Sequence, residues 1–88
     1  MRTLSLPSVL DPAAAAPLRS LLLAHRGEDL ELEASSVTRI GGQCLQVLLS
    51  AQRTWRTDGK QFRLRAVSGA CRDALAITGA AGLVEAEA

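Results

Sequence analysis

Three short stretches of the chain alternate polar and apolar residues, and this pattern limits the possible folds more than any other feature. Residues 3–6, 30–34 and 61–67 each place apolar side chains on one side and polar ones on the other. Alternation with a period of two predicts β-strands with one buried and one solvent-facing side. Strands of a sheet covered on both faces are instead near-continuous runs of Val, Ile and Leu. We therefore predict a small sheet with helices on one face and solvent on the other.

Helical segments separate the predicted strands, so successive strands can run parallel through right-handed crossovers. Asp11 is a favourable N-cap with Pro12 at the first helical position, and this helix should run to Arg26 and stop at Gly27. Pro17 should kink this helix or delay its regular part. A long helix follows over residues 41–57 and a third over 68–78, with Ser68 as its N-cap and Gly79 as its stop. The expected fold is α/β with two layers, a small mostly parallel or mixed sheet carrying helices on one face.

The solvent-facing side of the predicted sheet carries opposite charges on two strands. Glu31 and Glu33 alternate with apolar residues in one strand, and Arg63 and Arg65 do so in another. If these strands are neighbours, the four side chains form a cross-strand ladder of opposite charges that stabilises the pairing.

The long helix has two opposed faces at 100° per residue. The predicted core face comprises Ile40, Cys44, Val47, Leu48, Ala51 and Trp55. The opposite face, open to solvent or a partner, comprises Gln43, Gln46, Ser50, Arg53, Thr54 and Thr57. Leu45 and Leu49 lie outside both arcs, so they either meet a neighbouring helix or stay partly exposed.

Composition argues against several classes of function. A net charge of +1 and an aromatic content of 2% disfavour nucleic-acid binding, which needs a basic field and stacking side chains. The apolar run at residues 17–24 is interrupted by Arg19 and Ser20 and is too short to span a bilayer. No signal-peptide pattern opens the chain, and its two cysteines do not form a disulfide framework. We expect a protein of the reducing cytoplasm that does not insert into membranes.

The chemistry-bearing residues do not form a catalytic or metal-binding set. Cys44 and Cys71 are widely spaced and are interpreted as buried structural thiols, although a helix start can also lower a thiol pKa. His25 is best placed to interact with a helix C-terminus. No nucleophile, base and orienting group occur together, and no phosphate-loop motif follows the glycines. We predict no enzyme activity, no metal and no cofactor.

The order of these elements resembles the STAS domain, which bacterial anti-sigma-factor antagonists share with the cytoplasmic ends of sulfate transporters. The resemblance spans nearly the whole chain, as one domain over residues 1–82 with a frayed acidic tail at 83–88. The segments that carry it are Leu10-Asp11, Val37-Thr38-Arg39-Ile40 leading into Gly41-Gly42-Gln43-Cys44-Leu45, Trp55 to Asp58-Gly59, Phe62-Arg63-Leu64 before Ser68, and Leu75-Ala76-Ile77-Thr78-Gly79.

The resemblance also shows that the serine phosphorylated in the antagonists is absent from this chain. In antagonists the long helix opens with Asp-Ser-Ser-Gly-Leu, and a partner kinase phosphorylates the first serine. Alignment on Val37-Thr38 and Leu45 places Gly42 at that serine, with Gly41 at the aspartate and Gln43 at the second serine. Since Gly42 has no hydroxyl, we expect no phosphorylation switch at this position.

The resemblance implies a protein-docking role. Small STAS-like proteins encoded among chemotaxis genes of alphaproteobacteria are similar in opening the long helix with Gly-Gly, which implies docking onto a chemotaxis histidine kinase; an anti-sigma-factor-type kinase ranks level with it. The alternative is an accessory subunit of a lipid or anion transporter, and a homodimer is possible. The implied partner-binding residues are Thr38, Arg39, Gly41, Gly42, Gln43, Gln46, Ser50 and Arg53. The two glycines either receive an anion at the helix start or, as the favoured interpretation, simply form a tight turn.

Overall fold

A computed structural model describes residues 1–77 of the chain, including all side chains there except those of Ala74 and Ile77. In chain order the elements are β1 (Arg2–Ser5), β2 (Val9–Leu10), α1 (Pro12–Ala24), β3 (Leu30–Glu33), β4 (Arg39–Ile40), α2 (Gly42–Thr57), β5 (Phe62–Arg65) and α3 (Gly69–Ile77). The predicted α/β class is confirmed. The predicted end of the third helix at residues 78 and 79 and the tail at 83–88 lie outside the described residues.

The main sheet contains the three predicted strands in the order β1-β3-β5, and both pairs are parallel. Leu30 and Leu32 of the central strand are fully buried, as the alternation predicts. Strands β3 and β5 are shorter than predicted, whereas β1 has the predicted length but begins and ends one residue earlier. At the end of β5 the physical cause is Ala66, whose φ of 55° lies in the left-handed region and cannot continue a strand.

A second, two-residue ladder between β2 and β4 was not predicted. Val9 pairs with Arg39 and Leu10 with Ile40, again in parallel. The Gly41 N–H then donates to the Leu10 carbonyl at 2.9 Å. Two residues are too few to show any alternation, so sequence periodicity has no signal for such a strand.

The predicted helix starts are confirmed. The Asp11 carboxylate accepts from the Ala14 N–H at 3.1 Å, and the Ser68 hydroxyl accepts from the Cys71 N–H at 3.2 Å. Helix α1 is regular from Pro12 although Pro17 lies inside it, so the proline does not delay the helix. It ends at Ala24, earlier than Arg26, because the His25 N–H donates to the Leu22 carbonyl and the Arg26 N–H to the Leu23 carbonyl, each three residues back instead of four.

One core joins the three helices to the apolar face of the sheet. Of the predicted core face of α2, Cys44, Leu48, Ala51 and Trp55 are buried, whereas Ile40 and Val47 are only half-buried. Leu45, which the helical arcs left open, is 3% exposed and belongs to the core, and Leu49 is half-buried against it. The remaining buried apolar residues are Leu6, Leu10, Leu18, Leu22, Leu30, Leu32, Ala34, Val37, Leu64, Cys71 and Leu75.

The opposite face of the sheet carries the predicted charges, with one correction. Glu31 is only 5% exposed rather than solvent-facing, because the side chains of Arg63 and Arg65 both contact its carboxylate. Glu33 lies opposite Arg65 in the register, yet its carboxylate accepts the Ser35 N–H at 2.6 Å instead. The ladder is therefore a three-residue cluster centred on Glu31.

Candidate protein-docking surface

The loop that leads into α2 is held in place by the N-terminal segment. The Ser8 carbonyl accepts hydrogen bonds from the Thr38 N–H at 2.8 Å and from the Thr38 hydroxyl at 3.0 Å. The Arg39 N–H also points to this carbonyl, at 3.3 Å. Thr38 is exposed, but its hydroxyl already donates to an acceptor within the protein. Arg39 is also exposed, and its backbone is fixed because it belongs to β4.

The start of α2 is open to solvent. Gly41 is the N-cap and has no side chain to cap the helix, so the first N–H groups of α2 are not satisfied from that position. A Cβ atom added at Gly42 would have no heavy atom within 4 Å, and one at Gly41 would lie 3.6 Å from the Leu10 carbonyl oxygen. Neither glycine has a positive φ. The turn therefore tolerates glycine without requiring it, and a side chain at Gly42 would project into open space.

The predicted docking residues continue along one side of the helix. Gly42, Gln43, Gln46, Ser50 and Arg53 are all exposed and fall within an arc of about 100°. Thr54, predicted on the same face, is half-buried and turns toward α1. We call the eight predicted residues the α2 strip: Thr38, Arg39, Gly41, Gly42, Gln43, Gln46, Ser50 and Arg53.

A groove of about 390 Å³ lies beside this strip, between α1 and α2. Sequence reasoning did not identify it. It is lined by Arg19, Leu22, Leu23, Arg26, Gln46, Val47, Ser50, Ala51, Thr54 and Trp55. The only hint in the sequence was the run Leu21-Leu22-Leu23, since a helix packed on one side buries at most part of three consecutive leucines; Leu22 is 2% exposed and Leu23 48%.

Trp55 forms the inner end of this groove. Its indole N–H donates to the Glu28 carbonyl at 2.7 Å, and its ring centroid lies 5.4 Å from that of Phe62. The residue is 1% exposed, so it anchors the core and is not an exposed binding residue.

A smaller hollow of about 300 Å³ lies where α1 and α2 begin. Asp11, Arg39, Gly41 and Ala70 are among its lining residues. It contains both an acid and a base, and the Asp11 carboxylate already caps α1. The hollow therefore does not have the uniformly positive character of an anion site.

The charges near the strip and the groove are mainly positive. Within residues 1–77, no carboxylate lies within 4 Å of the guanidinium groups of Arg19, Arg39 or Arg53. Arg26 differs, because its Nε lies 3.0 Å from Asp58, and the hydrogen bond between them lowers the pKa of the Asp58 carboxyl. These unpaired arginines favour a partner surface that carries carboxylates.

The thiols have structural surroundings. Cys44 is fully buried, and its Sγ donates to the Asp11 carbonyl at 3.3 Å. Burial raises the pKa of the Cys44 thiol, and the Asp11 charge raises it further; burial also raises the pKa of Cys71. A raised pKa disfavours the reactive thiolate despite the nearby helix start.

The remaining candidate for acid–base chemistry, His25, contacts a neighbouring side chain. His25 at the end of α1 has its Nδ1 3.1 Å from a Glu28 carboxylate oxygen. Among residues 1–77, no three His, Cys, Asp or Glu side chains are placed to hold a metal ion. The same residues include no helix with the length and apolar character required to cross a bilayer.

The fold, a small sheet with helices on one face, and its accessible helix face define a small protein-interaction module. The family model described as "Mlab, STAS domain" matches residues 2–85, and the chain therefore belongs to the STAS domain family. A comparison with curated proteins finds no match. STAS domains generally act in protein–protein interaction, including antagonism of anti-sigma factors, and are generally not enzymes.

Proposed function

We propose that this protein is a non-enzymatic docking module of bacterial signalling, and that its contact surface is the α2 strip. The partner is a kinase or a kinase-like protein, of the chemotaxis histidine kinase or anti-sigma-factor type, met in the cytoplasm. The observation that carries the proposal is the exposed strip that begins at a fixed loop and continues along α2 from Gly42 to Arg53. A surface whose backbone is already ordered loses little conformational entropy when a partner binds.

Docking at this strip is constitutive rather than controlled by phosphorylation of the helix start. Gly42, at the position of the usual serine, carries no hydroxyl. The open space around Gly42 supports contact with a partner there, because no side chain of residues 1–77 covers it. The guanidinium groups of Arg39 and Arg53, which have no carboxylate partner within residues 1–77, favour carboxylates on the facing surface.

The Gly42→Arg variant tests the surface. The open space around Gly42 lets the variant fold, so a loss of binding reports the blocked surface. Gly69→Arg is a matched control, since Gly69 also begins a helix, is exposed and has open space at its Cβ position. Binding to the purified kinase encoded nearest to the gene is measured by calorimetry, with circular dichroism as a check of folding.

We expect Gly42→Arg to weaken binding by about tenfold or more, which corresponds to about 1.4 kcal/mol, while Gly69→Arg binds like the wild type. Equal affinities of both variants for the kinase would remove the α2 strip as the contact surface.

An accessory role in a membrane transporter for lipids or anions is the second candidate. The matching family model carries the description Mlab, and STAS-like proteins also attach to transporter ATPases. Co-purification from detergent extract distinguishes the two roles, because one predicts a transporter ATPase and the other a kinase. Sedimentation of the isolated protein tests whether it also forms a homodimer.

A further inference from the structure

We infer that the groove between α1 and α2 binds an acidic, amphipathic helix of the partner protein. This inference rests on the proposed docking function and adds the chemistry of the partner segment. It concerns a different surface from the helix start at Gly42, although Gln46 and Ser50 border both.

The apolar part of the groove can accept apolar side chains. Leu22, Leu23, Val47, Ala51 and Trp55 line it. Leu23 is 48% exposed and is among the few large apolar side chains that residues 1–77 expose. Exposed apolar surface that lines a concavity is typical of interaction sites.

The shape of the groove matches a helix. Along α2 its lining residues recur at intervals of three and four, at positions 46, 47, 50, 51, 54 and 55, and on the other side they are residues 19, 22 and 23 of α1 with Arg26 just beyond the end of that helix. The α2 row covers between two and three helical turns, or about 13 Å, and the α1 row about one turn. Two such rows side by side form the kind of apolar channel into which an amphipathic helix places residues spaced i, i+3 or i+4, and i+7.

The charges of the groove select an acidic segment. Among the described residues that line it there is no Asp or Glu, and the two charged ones are Arg19 and Arg26. Arg26 is already bound to Asp58, whereas Arg19 has no carboxylate within 4 Å among the described residues. A glutamate beside the apolar face of a bound helix would pair with Arg19, and a lysine there would be repelled.

The test uses Trp55 as a reporter, because it is the only tryptophan of the chain and lines the groove. The probes are two synthetic helical peptides without tryptophan, identical in their Leu positions, one with Glu and the other with Lys on the flanks. We expect the Glu peptide to change the Trp55 emission saturably, and the Lys peptide to bind about tenfold more weakly.

Variants then locate the contact. Arg19→Glu should weaken binding of the Glu peptide by about tenfold and reverse the preference between the peptides. Arg72→Glu is the matched control, since Arg72 is also exposed but lies on α3 and does not line the groove, and it should bind like the wild type. Circular dichroism verifies that both variants fold.

Several results would overturn the inference. These are equal affinities for the two peptides, no saturable change with either one, or a response that Arg19→Glu leaves unaltered. It would also be overturned if vesicles of phosphatidylglycerol, rather than the Glu peptide, gave the Arg19-dependent response. The inference would also be overturned if the free protein is a dimer and Arg19→Glu dissociates it, because a second copy would then occupy the groove. Each of these results leaves the kinase-binding test with Gly42→Arg unaffected, so the two proposals fail separately.

Discussion

Arg63 binds Glu31 across two parallel strands with two of its nitrogen atoms, Nη2 at 2.8 Å and Nε at 2.9 Å from the same carboxylate oxygen. Arg65 reaches the other oxygen at 3.3 Å. Because β3 is the central strand, this cluster joins the middle of the sheet to β5 at one of its edges. Glu31 should therefore matter more for stability than an ordinary exposed glutamate.

Glu31→Gln should lower the urea midpoint of unfolding. The amide keeps the size of the side chain but removes the negative charge that both guanidinium groups contact. Glu33→Gln is the control, since Glu33 lies two residues away and its carboxylate bonds the nearby Ser35 N–H. We expect the smaller change for the control, and similar midpoints for the two variants would contradict the central role of Glu31.

Acid should weaken the fold partly through the same carboxylate. The hydrogen bond from Arg63, aided by Arg65, lowers the pKa of Glu31 below its ordinary value of 4.5. A lowered folded-state pKa gives a stabilisation that is complete above 4.5 and is lost as the pH falls below it toward the folded-state value. Stability of the wild type should decline in that range, and Glu31→Gln should show a shallower decline.

The stability of Glu31→Gln should still decline to some extent as the pH falls. Contacts within the fold also lower the pKa values of Glu28, Glu33 and Asp58, so these carboxylates retain part of the dependence. Urea titrations at a series of pH values check this. Parallel curves for wild type and Glu31→Gln would show that Glu31 contributes nothing to acid sensitivity.

Trp55→Phe should destabilise the protein by about 1–3 kcal/mol. The change keeps an aromatic ring near Phe62 but removes the indole N–H, and so deprives the Glu28 carbonyl of its donor at 2.7 Å. Urea unfolding followed by circular dichroism measures the loss, since the variant has no tryptophan fluorescence. A loss below about 0.5 kcal/mol would mean that the hydrogen bond is not important for stability.

Ala66→Gly should stabilise the protein by up to about 1 kcal/mol, because Ala66 has a φ of 55° and glycine adopts this conformation without strain. Ala16→Gly, at an exposed position inside α1, is the opposite control and should cost about 0.5–1 kcal/mol. Thermal unfolding of both variants checks the signs. If Ala66→Gly is instead destabilised, the extra conformational entropy of glycine in the unfolded chain outweighs the relief of backbone strain at residue 66.

The elements that alternate strongly were the ones that the sequence could predict. In β3 and β5 every second residue is charged, so strand type and buried face followed from one pattern, whereas the nearness of Glu31 to Arg63 was expected only if the two strands were neighbours. The caps at Asp11 and Ser68 were predictable as well, because the cap chemistry is local to three or four residues.

Features that depend on three-dimensional placement were not predictable. Arg65 contacts Glu31 and not Glu33, its partner in the register, and the Glu33 carboxylate instead accepts the Ser35 N–H. The groove between α1 and α2 depends on how two helices pack, which residue periodicity does not encode. Periodicity predicted the exposure of Gln43, Gln46, Ser50 and Arg53, whereas the other residues of the α2 strip and its role in docking came from the family resemblance, and that role remains a proposal.

The Ser8 carbonyl, with its three donors from Thr38 and Arg39, links the beginning of the chain to the beginning of α2. Local opening of residues 8–10 and loosening of the loop at residues 38–41 are therefore one event, with one free energy. On the proposed function, a partner that holds the loop should also slow amide exchange at Val9 and Leu10. The first ten residues would then be a remote part of the proposed docking surface.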